Sequence, residues 1–221
     1  MSGPSSSMRN MYLATIALLA VVSLTGAHGQ DKRDAGGLKI ANVNPGRLLN
    51  EYKFTKSADL ELKKKQADIV TEMNSWDQHR LLSEADQRAL GVIAVKDSNH
   101  EVLIPQDKTN KTKYEDSSKK LFDEYLALQT RQGATPAETD RLKELSRLET
   151  DTNKRIKDRQ ASAQEELQKQ ANDMRSKMDG DVRAAISKIS KSKSLNVVFS
   201  SELALYCDND ITDDVLKELN K

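Results

Sequence analysis

The residues able to do chemistry are few, and their spacing does not assemble a catalytic site. Beyond the first 29 residues only His79 and His100 remain. Neither has another His four positions away, so no helix face offers two imidazoles to a zinc ion. Cys207 is the single cysteine, which excludes an intramolecular disulfide framework and a cysteine zinc cluster. It follows a strand-like run and reads as a small buried or edge hydrophobe rather than a reactive thiol. The acid pairs Glu165-Glu166 and Asp213-Asp214 fall on exposed helix faces, where solvated charge is far commoner than a general acid and base. There is no G-x-S-x-G, no Gly-rich phosphate loop and no C-x-x-C. Neither an enzyme, nor a metal site, nor a cofactor is expected. Binding or structural work is.

Composition sets the elements that remain. Hydrophobic residues make up 37%, charged residues 31% and aromatic residues 4% of the 221. With so few of the largest burial units, a thick single core is not expected. Nine Gly and four Pro are about half the usual share, which points to long uninterrupted helices. Residues 1–29 read as a signal peptide: Arg9, an apolar run from Tyr12 to Leu24, then small residues with cleavage after Ala27 or Gly29. The mature protein is therefore expected to be soluble and exported. Without Arg9 the chain carries 34 basic and 34 acidic residues, so nucleic acid is not an expected partner.

Along the chain, 30–37 read as a flexible leader and Leu38–Val43 as a strand stopped by Asn44-Pro45-Gly46. From Arg47 to Leu90 there is no Gly or Pro; Leu48, Leu62, Ile69 and Trp76 share one heptad position, with Tyr52 and Met73 at the complementary one. Ser83 can restart a helix. Val92–Val95 and Val102–Ile104 flank Asp97-Ser98-Asn99-His100 and suit either a small hairpin or a frayed helix, while 106–113 should be loop. Tyr114, Leu121, Phe122, Tyr125 and Leu128 make an amphipathic helix ended by Gln132-Gly133-Ala134.

Thr135-Pro136-Ala137-Glu138 is a helix start with a cap, a first-turn proline and a capping box. The seam that follows settles into Ala163, Leu167, Ala171, Met174, Met178, Val182, Ala185 and Ile189, an 11-residue repeat. A helix from 136 to about 190 would be roughly 80 Å long, so it must project or pack on another long helix. Leu195–Phe199 and Leu203–Cys207 then read as strands, and Thr212 caps a last helix carrying Val215, Leu216 and Leu219.

The fold class expected is mainly α: a long antiparallel helical hairpin, coiled-coil-like, on a small α/β body. The body takes 38–46 and 194–221; the arm takes 47–193, with an irregular distal segment at 83–134. A core of about 35 residues rarely stands alone, so the body should oligomerise. Its expected residues are Ile40, Val43, Val197, Phe199, Leu203, Leu205, Ile211 and Val215.

The two ends carry a family resemblance. Lys39-Ile40-Ala41-Asn42-Val43-Asn44 with Leu48-Leu49 is similar to the opening strand and helix of the Skp/OmpH family. Leu195–Phe199, Leu203–Tyr206 and Asp210–Lys217 resemble its closing strands and helix. The resemblance implies a periplasmic, ATP-independent holdase, a homotrimer whose helical tentacles enclose unfolded outer-membrane proteins near a membrane surface. Three departures stand out: Asn42 interrupts the apolar opening strand, the mature chain is neutral, and 83–132 looks longer and more broken than a simple tentacle tip. Met73, Trp76, Leu121, Phe122, Tyr125 and Leu128 are the candidate client contacts. The competing expectation is a coiled-coil spacer or scaffold of the envelope that binds no client.

Overall fold

The computed structural model describes residues 37–203 and 206–221. The signal-peptide and most of the leader reading fall outside these residues, and so does Leu205. The described chain is mainly helical. Its elements are β1 (Ile40–Val43), α1 (Pro45–Glu51), α2 (Lys53–Gln78), α3 (Glu84–Ser98), α4 (Pro105–Thr130), α5 (Pro136–Ser192), β2 (Val197–Ser200) and α6 (Thr212–Leu219). It divides into two compact units. One holds the chain ends, up to Tyr52 and from Asp181; the other is Lys53–Gly180.

In the first unit β1 and β2 pair in parallel, with Ile40 beside Val197, Ala41 beside Val198 and Asn42 beside Phe199. The other edge of β1 is also occupied: Asn42 N–H donates to Asn209 O (2.9 Å), and Ile211 N–H donates to Asn42 O (3.0 Å). Alternation along the strand sends Ala41 and Val43 to one side. There they join Leu48, Ala185, Ile211, Val215 and Leu216 in a buried core, edged by Val182, Ile186, Ile189, Leu195, Val198 and Leu219. Asn44 caps α1 by accepting from Arg47 N–H at 3.0 Å, and Pro45 supplies the first helical position. The Asn44 N–H donates to the buried Thr212 Oγ1 at 2.8 Å, which fixes β1 against the start of α6. Where α1 ends, the Tyr52 hydroxyl donates to Asp181 Oδ2 at 2.8 Å; burial first, then that carboxylate, push its pKa up to about 12.

In the second unit, cross-helix pairs run Glu61–Gln170 (2.8 Å), Glu72–Arg159 (3.1 Å) and Arg80–Glu149 (3.1 Å). As numbers rise along α2 they fall along α5, so the two are antiparallel neighbours. The α3 helix returns along α2, with Asn99 Nδ2 donating to Asp68 Oδ1 at 2.9 Å. The α4 helix pairs with α5 through a two-pronged Arg141–Glu124 bridge at 2.8 and 2.9 Å. Leu81, Leu82, Leu90, Ile93 and Leu145 are buried among these helices, with Ile69 and Trp76.

Four expectations are corrected. Of the two alternatives for the apolar run Val92–Val95 the helix is the one formed, and it is not frayed there: α3 continues to Ser98 and Leu90, Gly91 and Ile93 find buried positions on it. The polar stretch 106–113 is also helix: Pro105 opens it, Lys96–Asp107 (2.9 Å) and Lys111–Asp97 (2.7 Å) pin it. Thr109 and Thr112 there satisfy their hydroxyls on carbonyls of the same helix. The segment 83–134 is therefore two helices rather than irregular. Of Leu203–Cys207, read as a second closing strand, Leu203 lies in the Ser201–Leu203 turn and Tyr206 and Cys207 are irregular, while 204–205 lie outside the described residues. The second edge of β1 is taken by the backbone of Asn209–Ile211. Thr212 is not the cap of α6 but its first residue, and its N–H donates to Asp210 Oδ1 at 2.8 Å.

The capping box that opens α5 forms as the sequence requires: Glu138 N–H donates to Thr135 Oγ1 (3.3 Å) and Thr135 N–H to Glu138 Oε2 (2.9 Å). Those Thr135 donors, backbone first, hold the Glu138 carboxyl below its usual range. A lowered carboxylate pKa stabilises the fold above the unfolded value, 4.5, and the gain is lost as pH falls through the folded value. Thr135→Ala should cost about 1 kcal/mol at pH 7. Thermal melts of Glu138→Gln should lie below wild type at neutral pH and converge with it in acid; a constant gap would exclude the carboxylate as the cause.

Candidate functional site

The candidate body residues fall on two faces. Val43, Ile211 and Val215 meet in the buried core of the first unit. Ile40 and Val197 are paired neighbours on the opposite face of the sheet, next to Phe199, which is 42% exposed. Leu203 is exposed beyond β2. Between Ile40 and Val43, Asn42 holds a buried Oδ1 with no hydrogen-bond partner. The outer sheet face is thus apolar, open, and interrupted by one polar atom.

The candidate client contacts are likewise divided. Trp76 is 7% exposed and lies against Gly91 of α3, where an added Cβ would sit 2.9 Å from the indole nitrogen. That packing explains why a glycine is kept in mid-helix at a cost of about 1 kcal/mol. Met73, Leu121 and Leu128 are half-buried along their helices. Phe122 is 50% exposed. It joins Asp77, Gln78, Arg80, Leu81, Tyr125 and Glu149 around a hollow of about 430 Å³. Within the hollow, Arg80 is held by Asp77 Oδ1 (2.9 Å) and Glu149 Oε1 (3.1 Å), and the Tyr125 hydroxyl donates to Glu149 Oε2 (3.0 Å). The charged groups satisfy one another, so the surface left for a visitor is the Phe122 ring and a ring of fixed dipoles. A wider hollow along α5, from Ala161 to Asp173, is lined by that helix alone and mainly by polar groups; it offers no convergent chemistry.

Beneath the hollow lies a buried polar knot that sequence reasoning missed. The Thr152 hydroxyl donates to Arg80 O (2.9 Å) and accepts from Gln87 Nε2 (2.9 Å) and Arg155 Nη2 (2.8 Å). Gln87 Nε2 also donates to His79 O at 3.0 Å. The His79 ring sits beside this turn with a buried, unpartnered Nδ1. Burial lowers its pKa more than Glu115 raises it, so the imidazole stays neutral. The signal was faint: isolated Thr and Gln in polar helices look like solvent-facing residues. Also missed as surface were Val102, Ile104 and Leu126, all exposed. Two β-branched residues just before Pro105 were the clue for the first pair.

Among the described residues no group of three or more His, Cys, Asp or Glu could hold a metal ion. No described helix is long and apolar enough to cross a membrane. Mainly helical, with scattered exposed apolar side chains and satisfied charges, the chain has the make-up of a helical interaction protein. It belongs to the family of OmpH-like outer membrane proteins, whose family model matches residues 39–219. No curated protein and no solved structure matches it.

Trp76 is the single tryptophan and reports the α2–α3 contact directly. Gly91→Val should push the indole out of place, shift its emission to the red and destabilise the fold by about 1–3 kcal/mol. Unchanged emission and melting would show that the contact is slack.

Proposed function

We propose that this protein is an ATP-independent periplasmic holdase that binds unfolded outer-membrane protein precursors and keeps them from aggregating. Membership of the OmpH-like family supports a chaperone-like role toward outer-membrane proteins, a periplasmic location and a non-enzymatic mode of action. The observation that carries the reading here is the dispersal of apolar surface in the second unit. Leu60, Val70, Val92, Phe122 and Leu126 are all exposed on helices rich in paired charges. Scattered, shallow apolar contacts hold many sequences weakly, whereas one deep pocket selects a single ligand. Phe122 over its dipole-lined hollow is the strongest of these contacts. Met73, Leu121, Tyr125 and Leu128 extend it, while Trp76 is buried against Gly91 and offers a client little surface.

In this reading the first unit is a trimerisation body. Its outer sheet face, with Ile40, Val197 and Phe199, is the kind of apolar surface that a small core leaves for a neighbouring copy. The second unit, with antiparallel α2 and α5, forms the tentacle, and the trimer works at the periplasmic side of a membrane surface after cleavage of the signal peptide. Export removes access to cytoplasmic ATP, and a holdase needs none.

Native mass spectrometry of the mature protein with a urea-unfolded outer-membrane barrel tests this directly. A homotrimer carrying one client is expected. A trimer that leaves the barrel to aggregate would overturn the holdase reading, and a monomer would overturn the body assignment. Replacing Phe122 and Tyr125 with Ser should raise the concentration needed to suppress barrel aggregation by about tenfold without loss of the trimer. Unchanged protection would remove both residues from the client surface.

A further inference from the structure

Two helices of this chain end in the same way. In α5, Ser194 adopts a positive φ of 52°, Leu195 N–H donates to Ser190 O and Ser194 N–H to Lys191 O. In α3, His100 adopts a φ of 56°, Glu101 N–H donates to Lys96 O and His100 N–H to Asp97 O. This closing geometry turns the chain out of the helix into extended backbone. After α5 the extended chain becomes β2 and finds β1. After α3 it leads into Val102-Leu103-Ile104; the Ile104 carbonyl accepts from Lys108 N–H at 3.2 Å, but among the described residues no backbone group pairs with the N–H groups of these three or with the carbonyls of Val102 and Leu103.

The segment has the other marks of a strand waiting for a partner. Ile104 is extended, with φ −67° and ψ 159°, as its place before Pro105 requires. Val102 and Ile104 are β-branched, sit two apart on one side, and are 91% and 57% exposed. Leu103 is half-buried. The segment is held at both ends, by Asn99–Asp68 on one side and by Lys96–Asp107 and Lys111–Asp97 on the other. A fixed, extended, apolar stretch with free amides pairs most readily with another extended chain that brings its own backbone groups. A helix has already used its backbone groups, and a lipid tail has none.

The geometry points to Val102–Ile104 as a strand-addition site for extended, alternating apolar segments of an unfolded client. The inference rests on the holdase reading. A membrane-barrel strand alternates apolar and polar residues, and before folding its backbone is unpaired, so it matches the segment in both side chains and main chain.

The test uses the full mature protein, a labelled peptide alternating Val and Tyr with Ser and Lys, and a scrambled peptide of the same composition. Val102→Lys/Ile104→Lys should weaken binding of the alternating peptide about tenfold with unchanged circular dichroism. In the wild type, that peptide should slow hydrogen exchange at the amides of 102–104, which a side-chain contact alone would not do. Equal binding of the scrambled peptide, full affinity in the double variant, or unprotected amides would overturn the inference. So would self-association of the wild type that the double variant abolishes, since the occupant is then a second copy. If barrel aggregation is still suppressed in any of these cases, the holdase reading stands; if wild type protects no barrel, that reading fails on its own account.

Discussion

The hydroxyl of Thr152 is fully buried, and the distal helices are arranged around it. It meets the carbonyl of Arg80, the amide of Gln87 and the guanidinium of Arg155 at once, joining α5 to the turn between α2 and α3. In a chain with little aromatic bulk, a satisfied polar cluster can fix a packing that apolar contacts alone would leave loose. The Leu81-Leu82 pair is buried at the same turn, so specificity and burial coincide. The Phe122 hollow sits on this platform. Arg80 belongs to both: its carbonyl accepts from Thr152 and its guanidinium binds Glu149.

The first unit solves a different problem. Its core is one layer of small and branched residues, closed by β1, α1, the end of α5 and α6. Pairing on both edges of β1 leaves that strand no free edge to invite stray strands. The face opposite the core remains apolar except for Asn42. A buried amide oxygen with no partner is costly, and it stands beside the exposed Phe199 on that outer face.

Strong local signals were legible in the sequence. The capping box at Thr135, the restart at Ser83 and the first-turn proline at Pro45 are formed by residues that satisfy backbone groups within one turn, so a sequence window contains the whole interaction. The long helix starting at Pro136 is read the same way, from the seam and the absence of breakers. What escaped depends on partners far along the chain. Residues 106–113 look like loop until Lys96 and Asp97 are placed beside them. Leu203 and Tyr206 look like strand residues until Asn209–Ile211 takes the second edge of β1. Trp76 stands on the heptad seam, which favours packing over client contact, and it is buried; its partner Gly91 is what no local window names. Thr152 is the extreme case: two of its three partners lie more than sixty positions away, and its polarity argues for the surface.

The parallel pairing of β1 with β2 also sets an order of events. Lys39 and Asn196, which join the strands at their start, are 157 positions apart. Closing an unstructured loop of that length costs about 4 kcal/mol in chain entropy, more than two short strands return. The intervening helices have to form first and shorten the path. During synthesis the opening strand waits without its partner while the intervening helical residues are made. High contact order in the first unit and low contact order in the second make the small sheet a late checkpoint in folding.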